Sequence, residues 1–152
     1  MNPRLAVPTV VSGAAQTARD TEDASVLEPR VVVQRYLAEV LVGGDPTATD
    51  SLIASDPFRQ RVLAFRRAFP DLAVDTVLLI SEGDLIAVRA TGRGTHLGPF
   101  QGIAPTRRSW TATCSSFYRV EAGAIVEAWV NWDLLAILEQ IGGVHRLEPA
   151  SA

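Results

Sequence analysis

Two side chains in this sequence combine proton-transfer chemistry with a neighbourhood that would tune them, Asp133 and His96. Glu127, Trp129, Asn131 and Asp133 alternate along the chain, so an extended backbone puts all four on one face. A hairpin centred on Gly123 that pairs Val120 with Ile125 sets Trp129 opposite Ser116 and Asn131 opposite Cys114, unless a bulge intervenes. A carboxylate walled by Trp129 and apolar neighbours is poorly solvated. Desolvation raises its pKa towards neutrality, where it works as a general base and its acid form as a donor. The competing reading is that Asp133 caps the helix that follows. Asn131, on the same face, would orient a bound water or enol, or simply hold a structural hydrogen bond.

His96 ends a run in which Ile86, Val88 and Ala90 share its parity, so it points inward beside Gly94 and Gly98. There it could polarise a carbonyl, hold an epoxide oxygen or donate a hydrogen bond; the alternative is a buried histidine satisfied by a backbone carbonyl. Arg119 falls on the face opposite Trp129 by the same count and is a further pocket candidate. Arg89 and Arg93 read as sheet-surface or subunit-interface charges. Trp110, Trp129, Tyr36, Phe65, Phe69 and Phe100 are core residues first, but aromatics at the mouth of a concavity also form flat walls suited to a ring system. Cys114 reads as an inert buried thiol.

Composition narrows the chemistry further. At 152 residues the chain suits one domain with a real core. Its 14 basic residues, all Arg, are dispersed against 17 acids for a net charge of −3, which argues against a nucleic-acid partner. Arg59, Arg61, Arg66 and Arg67 recur at helical spacing and read as a solvated helix face. One cysteine and two histidines leave no ligand set for a Cys- or His-rich metal site, and no phosphate-binding loop or nucleophile elbow is present; no cofactor is expected. No apolar run approaches the roughly 20 residues that span a membrane. Pro8 and polar interruptions make MNPRLAVPTVVSGAA a poor secretion signal, so a cytoplasmic protein is expected.

The elements that must position these residues are readable from periodicity. Residues 1–28 lack a sustained period and read as a flexible extension; a domain over 29–145 and a short tail over 146–152 follow. A helix starts at Pro29, with Val32, Val33, Tyr36, Leu37 and Val40 on one stripe and Gly43-Gly44 as its end. A short helix is expected near Ala48 to Ala54, and a stronger one over Pro57 to Phe69. The period then changes near Leu72. Strands are predicted over Val74 to Ile80, Leu85 to Thr95, Ser109 to Val120 and Ile125 to Trp132, with a loop over Gly98 to Arg108. A last helix covers Leu134 to Ile141. Helices first and antiparallel strands after make an α+β fold, in which helices on one face of a curved sheet enclose a concavity.

The stretch GTHLGPFQGIAPT at Gly94 to Thr106, the YRVEAGAIV hairpin, Trp129 to Asp133, the Gln140 to Gly142 ending and AFRRAFPDL at Ala64 to Leu72 together resemble the SnoaL-like polyketide cyclases. The resemblance runs over about Val31 to Gly143. It implies the cone-shaped fold named after nuclear transport factor two: a curved antiparallel sheet with about three packed helices enclosing a pocket. It implies Asp133 as the acid/base carboxylate of a cofactor-independent cyclase, acting on an apolar polycyclic or aromatic small molecule; for an intramolecular epoxide opening Asp133 and His96 would supply the one acid and one base needed. It also implies a homodimer or homotetramer. Epoxide opening to a cyclic ether and anthracycline-type hydroxylation share the same shell, and a non-catalytic small-molecule-binding domain is the alternative of another class. Epoxide hydrolases of this fold use two Asp bridged by an Arg; Val88-Arg89-Ala90-Thr91 has the Arg without an Asp two residues on.

Overall fold

A computed structural model describes residues 27–144. The extension expected over 1–28, apart from its last two residues, and the whole of the tail expected over 146–152 lie outside the described residues. Pro29 opens helix α1 (Pro29–Arg35), where its missing N–H costs nothing. The helix runs on as a π-helical turn over Tyr36–Val42, and the wider winding is visible where Gly43 N–H reaches back five residues to the Ala38 carbonyl at 2.9 Å. Helix α2 (Pro46–Leu52) begins two residues before the expected Ala48, because Asp45 caps it, accepting from Thr47 N–H at 2.8 Å and Ala48 N–H at 3.3 Å. Helix α3 (Asp56–Ala68) buries Phe58 and Val62 on one stripe. Between α2 and α3 the chain touches the sheet once, as Ile53 bridges in parallel to Ile125.

Four strands follow as an antiparallel meander in sequential order: β1 (Ala73–Glu82), β2 (Leu85–Thr95), β3 (Ser109–Glu121) and β4 (Ala124–Trp132). The curved sheet stays open at both edges. Helix α4 (Leu134–Ile141) closes the chain, capped by Asp133 and ended by Gly142 at φ 84°, which glycine adopts without a Cβ clash. The expected α+β architecture holds, with four helices in place of about three.

One face of the sheet carries the core. Ile86, Val88 and Ala90 of β2 and Trp110, Ala112, Tyr118 and Val120 of β3 are buried against Val32 and Val33 of α1, Tyr36 of the π-helical turn and Phe58 and Val62 of α3. The β2–β3 ladder runs in unbroken register from Leu85↔Arg119 to Thr95↔Ser109, so its inward parity is that of the sequence. The β3–β4 ladder is different. Val120 pairs with Ile125, but Arg119 pairs with Glu127, which leaves Val126 as an extra residue. A bulge of this kind exchanges the faces of everything beyond it. Ala128, Val130 and Trp132 therefore turn inward, and Trp129 and Asn131 turn out, the reverse of the spacing-based expectation.

Candidate functional site

The α-helices do not fill the concave face of the sheet. They leave an open cavity of about 540 Å³, within the roughly 300–1,000 Å³ of small-molecule sites. Leu37 and Leu41 from the π-helical turn, and Phe58, Val62 and Phe65 from α3, form one wall. The sheet supplies Val88, Ala90, Val130 and Trp132 as the other, and Pro99, Phe100 and Gln101 reach over from the loop between β2 and β3. Aromatic contacts stiffen this lining. Phe65 stacks on Trp132 at 5.3 Å with the rings 15° apart, and Phe100 meets Phe65 edge-on at 5.8 Å.

The sheet wall also carries polar atoms. Cys114, Ser116 and Tyr118 sit at alternate positions of β3, so all three face inward, and Tyr36 meets Tyr118 across the cavity's edge with ring centroids 5.4 Å apart. The Tyr118 hydroxyl interacts with those of Ser116 and Tyr36. Burial raises the pKa of both phenols well above the ordinary tyrosine value, so each is a protonated donor at neutral pH. Burial also pushes the Cys114 thiol up to about 11, despite a hydrogen bond with Ser116. That thiol is protonated and unreactive. The row can donate hydrogen bonds to an oxygen brought into the cavity.

Of the residues singled out in the sequence, the structure brings Tyr36, Phe65 and Phe100 to the cavity. The bulge at Val126 corrects two others. Trp129 is 47% exposed, opposite Phe117 on the outer sheet face, and Asn131 stands opposite Ser115 on that face. Asn131 still borders the cavity, where its backbone lies in hydrogen-bond reach of the Cys114 thiol. Arg119 is likewise an outer-face residue and not a cavity one, held by Asp84 and Glu127 at 2.9 Å each. Trp110 is buried behind the lining, between Phe69 and Trp132.

His96 points inward as its parity requires, yet it is enclosed in the wall and does not line the cavity. Its Nδ1 accepts from Thr106 N–H at 3.2 Å and lies 3.0 Å from the Thr106 hydroxyl, which puts the ring proton on Nε2. Burial lowers its pKa, opposed by a backbone interaction at Gly98. The ring pins the loop over 98–108 to the end of β2. Asp133 is exposed, and its Oδ1 accepts from Ala136 N–H at 3.0 Å as the cap of α4. Its chain neighbours Trp132 and Leu134 line the cavity, but Asp133 itself does not. Four lining residues carry no signal that spacing alone makes functional: Ser116 and Tyr118, which read as strand core; Trp132, which the bulge delivers; and Arg61, which reads as solvated helix face.

Among the described residues no group of three or more His, Cys, Asp and Glu is placed to hold a metal ion. No helix among them is long and apolar enough to cross a membrane.

A family profile described as SnoaL-like polyketide cyclase matches residues 15–141. IdmH of Streptomyces antibioticus, a candidate polyketide cyclase, is 27% identical with a TM-score of 0.63, over 75% of this chain and 98% of that one. AclR of Streptomyces galilaeus, a candidate hydroxylase, is 20% identical with a TM-score of 0.67, over 79% and 84%. A candidate polyketide cyclase of Acidithiobacillus ferrooxidans is 21% identical with a TM-score of 0.66, over 80% and 99%. At these last two identities the likeness is one of fold. No curated protein matches the chain.

Proposed function

The chain belongs to the SnoaL-like polyketide cyclase family, and from that premise we propose that it closes a ring in an apolar polyketide or related secondary metabolite by acid/base catalysis without a cofactor. One observation carries the reading: a 540 Å³ cavity walled by Phe58, Phe65, Phe100 and Trp132 holds a row of protonated donors on its sheet side. The aromatic walls bind flat ring systems. The Tyr118 hydroxyl, which accepts from Tyr36 and Ser116, donates its own proton to the oxygen on which charge develops when a carbon acid beside a carbonyl is deprotonated, the kind of stabilisation that a dry, preorganised site makes strong. Asp133, next along the chain to the lining residue Trp132, takes that proton through Oδ2, while Oδ1 holds the cap. The carbanion, delocalised over the substrate's own carbonyls, attacks a second carbonyl; the carbon–carbon bond forms and the resulting alkoxide receives the proton back from Asp133. The net step is an isomerisation. IdmH, named as a candidate cyclase, supports the reaction class.

Asp133→Asn tests it with an aryl polyketone substrate. Asn caps a helix nearly as well as Asp, so stability changes by less than about 1 kcal/mol, while turnover falls by roughly 10²- to 10⁴-fold. Tyr118→Phe lowers turnover by about 10²-fold. Full turnover in both folded variants would refute the mechanism.

A second reading has an observation in its favour. Among the described residues no carboxylate or imidazole lines the cavity, which suits a pure binding domain. On that reading the wild-type chain binds the polyketone and returns it unchanged.

A further inference from the structure

Helix α3 carries four arginines with different fates. Arg59 binds the Ile53 carbonyl and the Asp56 carboxylate, and lies 3.9 Å from Asp50. Arg66 donates to the Leu41 and Val42 carbonyls at 2.7 Å each, tying α3 to the end of the π-helical turn. Arg67 does not reach the cavity lining. Arg61 does. Its guanidinium lies 5.8 Å from the centre of the Phe58 ring, itself a cavity wall, and among the described residues no carboxylate forms an ion pair with it. Every other residue lining the cavity is uncharged, so one fixed positive charge faces an apolar, aromatic-walled space. Arg61 is also exposed, as is its neighbour Ala64 one turn on, which places both where the cavity opens to solvent.

A guanidinium left without an acid at the edge of a low-dielectric cleft favours an anion that can lie with its apolar body inside. We propose that the cavity takes an anionic aromatic substrate, one bearing a carboxylate or an ionised enol or phenol, and that Arg61 holds the negative oxygen at the mouth. The aromatic body then lies in the cavity lined by Phe65, Phe100 and Val88, and the neutral carbonyl end faces Tyr118 and Ser116. One cation at the mouth and neutral donors on the sheet side also orient the molecule. This deepens the cyclase reading and rests on the cavity being its substrate site.

The full-length chain is titrated with two fluorescent probes that share an aromatic body and differ in charge: anilinonaphthalene sulfonate and the neutral N-phenylnaphthylamine. Arg61→Gln is expected to weaken the sulfonate roughly tenfold, as loss of one charge-assisted hydrogen bond does, and to leave the neutral probe within about twofold. Arg61→Lys retains most of the sulfonate affinity. Ala64→Trp, a change on an exposed helix position that narrows the mouth, weakens both probes. Equal effects of Arg61→Gln on the two probes, or none on the sulfonate, would overturn the assignment and leave the cyclase reading standing. Sulfonate loss with Arg61→Gln but no loss of either probe with Ala64→Trp would place binding on the helix surface and overturn it too. Failure of the wild-type chain to bind either probe would count against both the anion assignment and the cavity as the substrate site.

Discussion

The β2–β3 and β3–β4 seams of one sheet carry the same kind of sequence pattern and obey it differently. Along β2 and β3 every second residue is buried, from Ile86 to His96 and from Trp110 to Val120, and the ladder keeps one register throughout. Along β4 the alternation starts inward at Ile125, slips at Val126 and resumes on the other parity. The sequence around Val126 is ordinary strand sequence, with no glycine or proline to mark the slip. Large side chains on both parities, Trp129 on one and Val130 and Trp132 on the other, make either register plausible from spacing. Packing decides between them. Gly92, opposite Ala112 on the middle strands, leaves a slot that the Trp132 ring fills; a Cβ at position 92 would lie 2.5 Å from that ring.

The comparison can be tested most severely on the two tryptophans. Trp132→Ala removes a ring stacked on Phe65 and packed edge-on against Trp110. It is expected to cost about 3 kcal/mol in urea unfolding, the low end for a buried aromatic because Trp132 is half-buried. A cost below about 1 kcal/mol would mean that Trp132 is not the inward residue.

His96 sharpens the other seam. Burial depresses its pKa in the folded state below the unfolded value of about 6.5. Between those two values the unfolded chain binds more protons, so stability rises with pH through that window and is lost on acidification below about 6.5. His96→Gln should flatten this slope. At pH 7, where both states are largely neutral, it should cost about 1 kcal/mol for the interactions with Thr106. An unchanged slope below pH 6.5 would show the ring to be solvated.

The smallest effect is expected on the outer face. Ile80, Ala87, Phe117 and Trp129 pair in sequence across all four strands, forming an apolar row. Trp129→Ser on that row should shift stability by less than about 0.5 kcal/mol. A larger change that also depends on protein concentration would mean that the row is covered in solution.

Sequence alone determined the order of helices and strands, the antiparallel meander, the hairpin centred on Gly123 and the inward parity of β2 and β3. These follow from local periodicity, turn chemistry and an uninterrupted ladder, all of which neighbouring residues encode. The motifs around Gly94 to Thr106 and Trp129 to Asp133 likewise carried the family. The face of β4, the enclosure of His96 behind the cavity wall and the turning of Arg61 towards the cavity were decided by the tertiary structure. Each depends on distant partners: Gly92 for Trp132, Thr106 for His96, and for Arg61 the acids nearby that bind Arg59 instead. Spacing along a chain states which side chains share a face, but packing across the sheet decides which face becomes the inside.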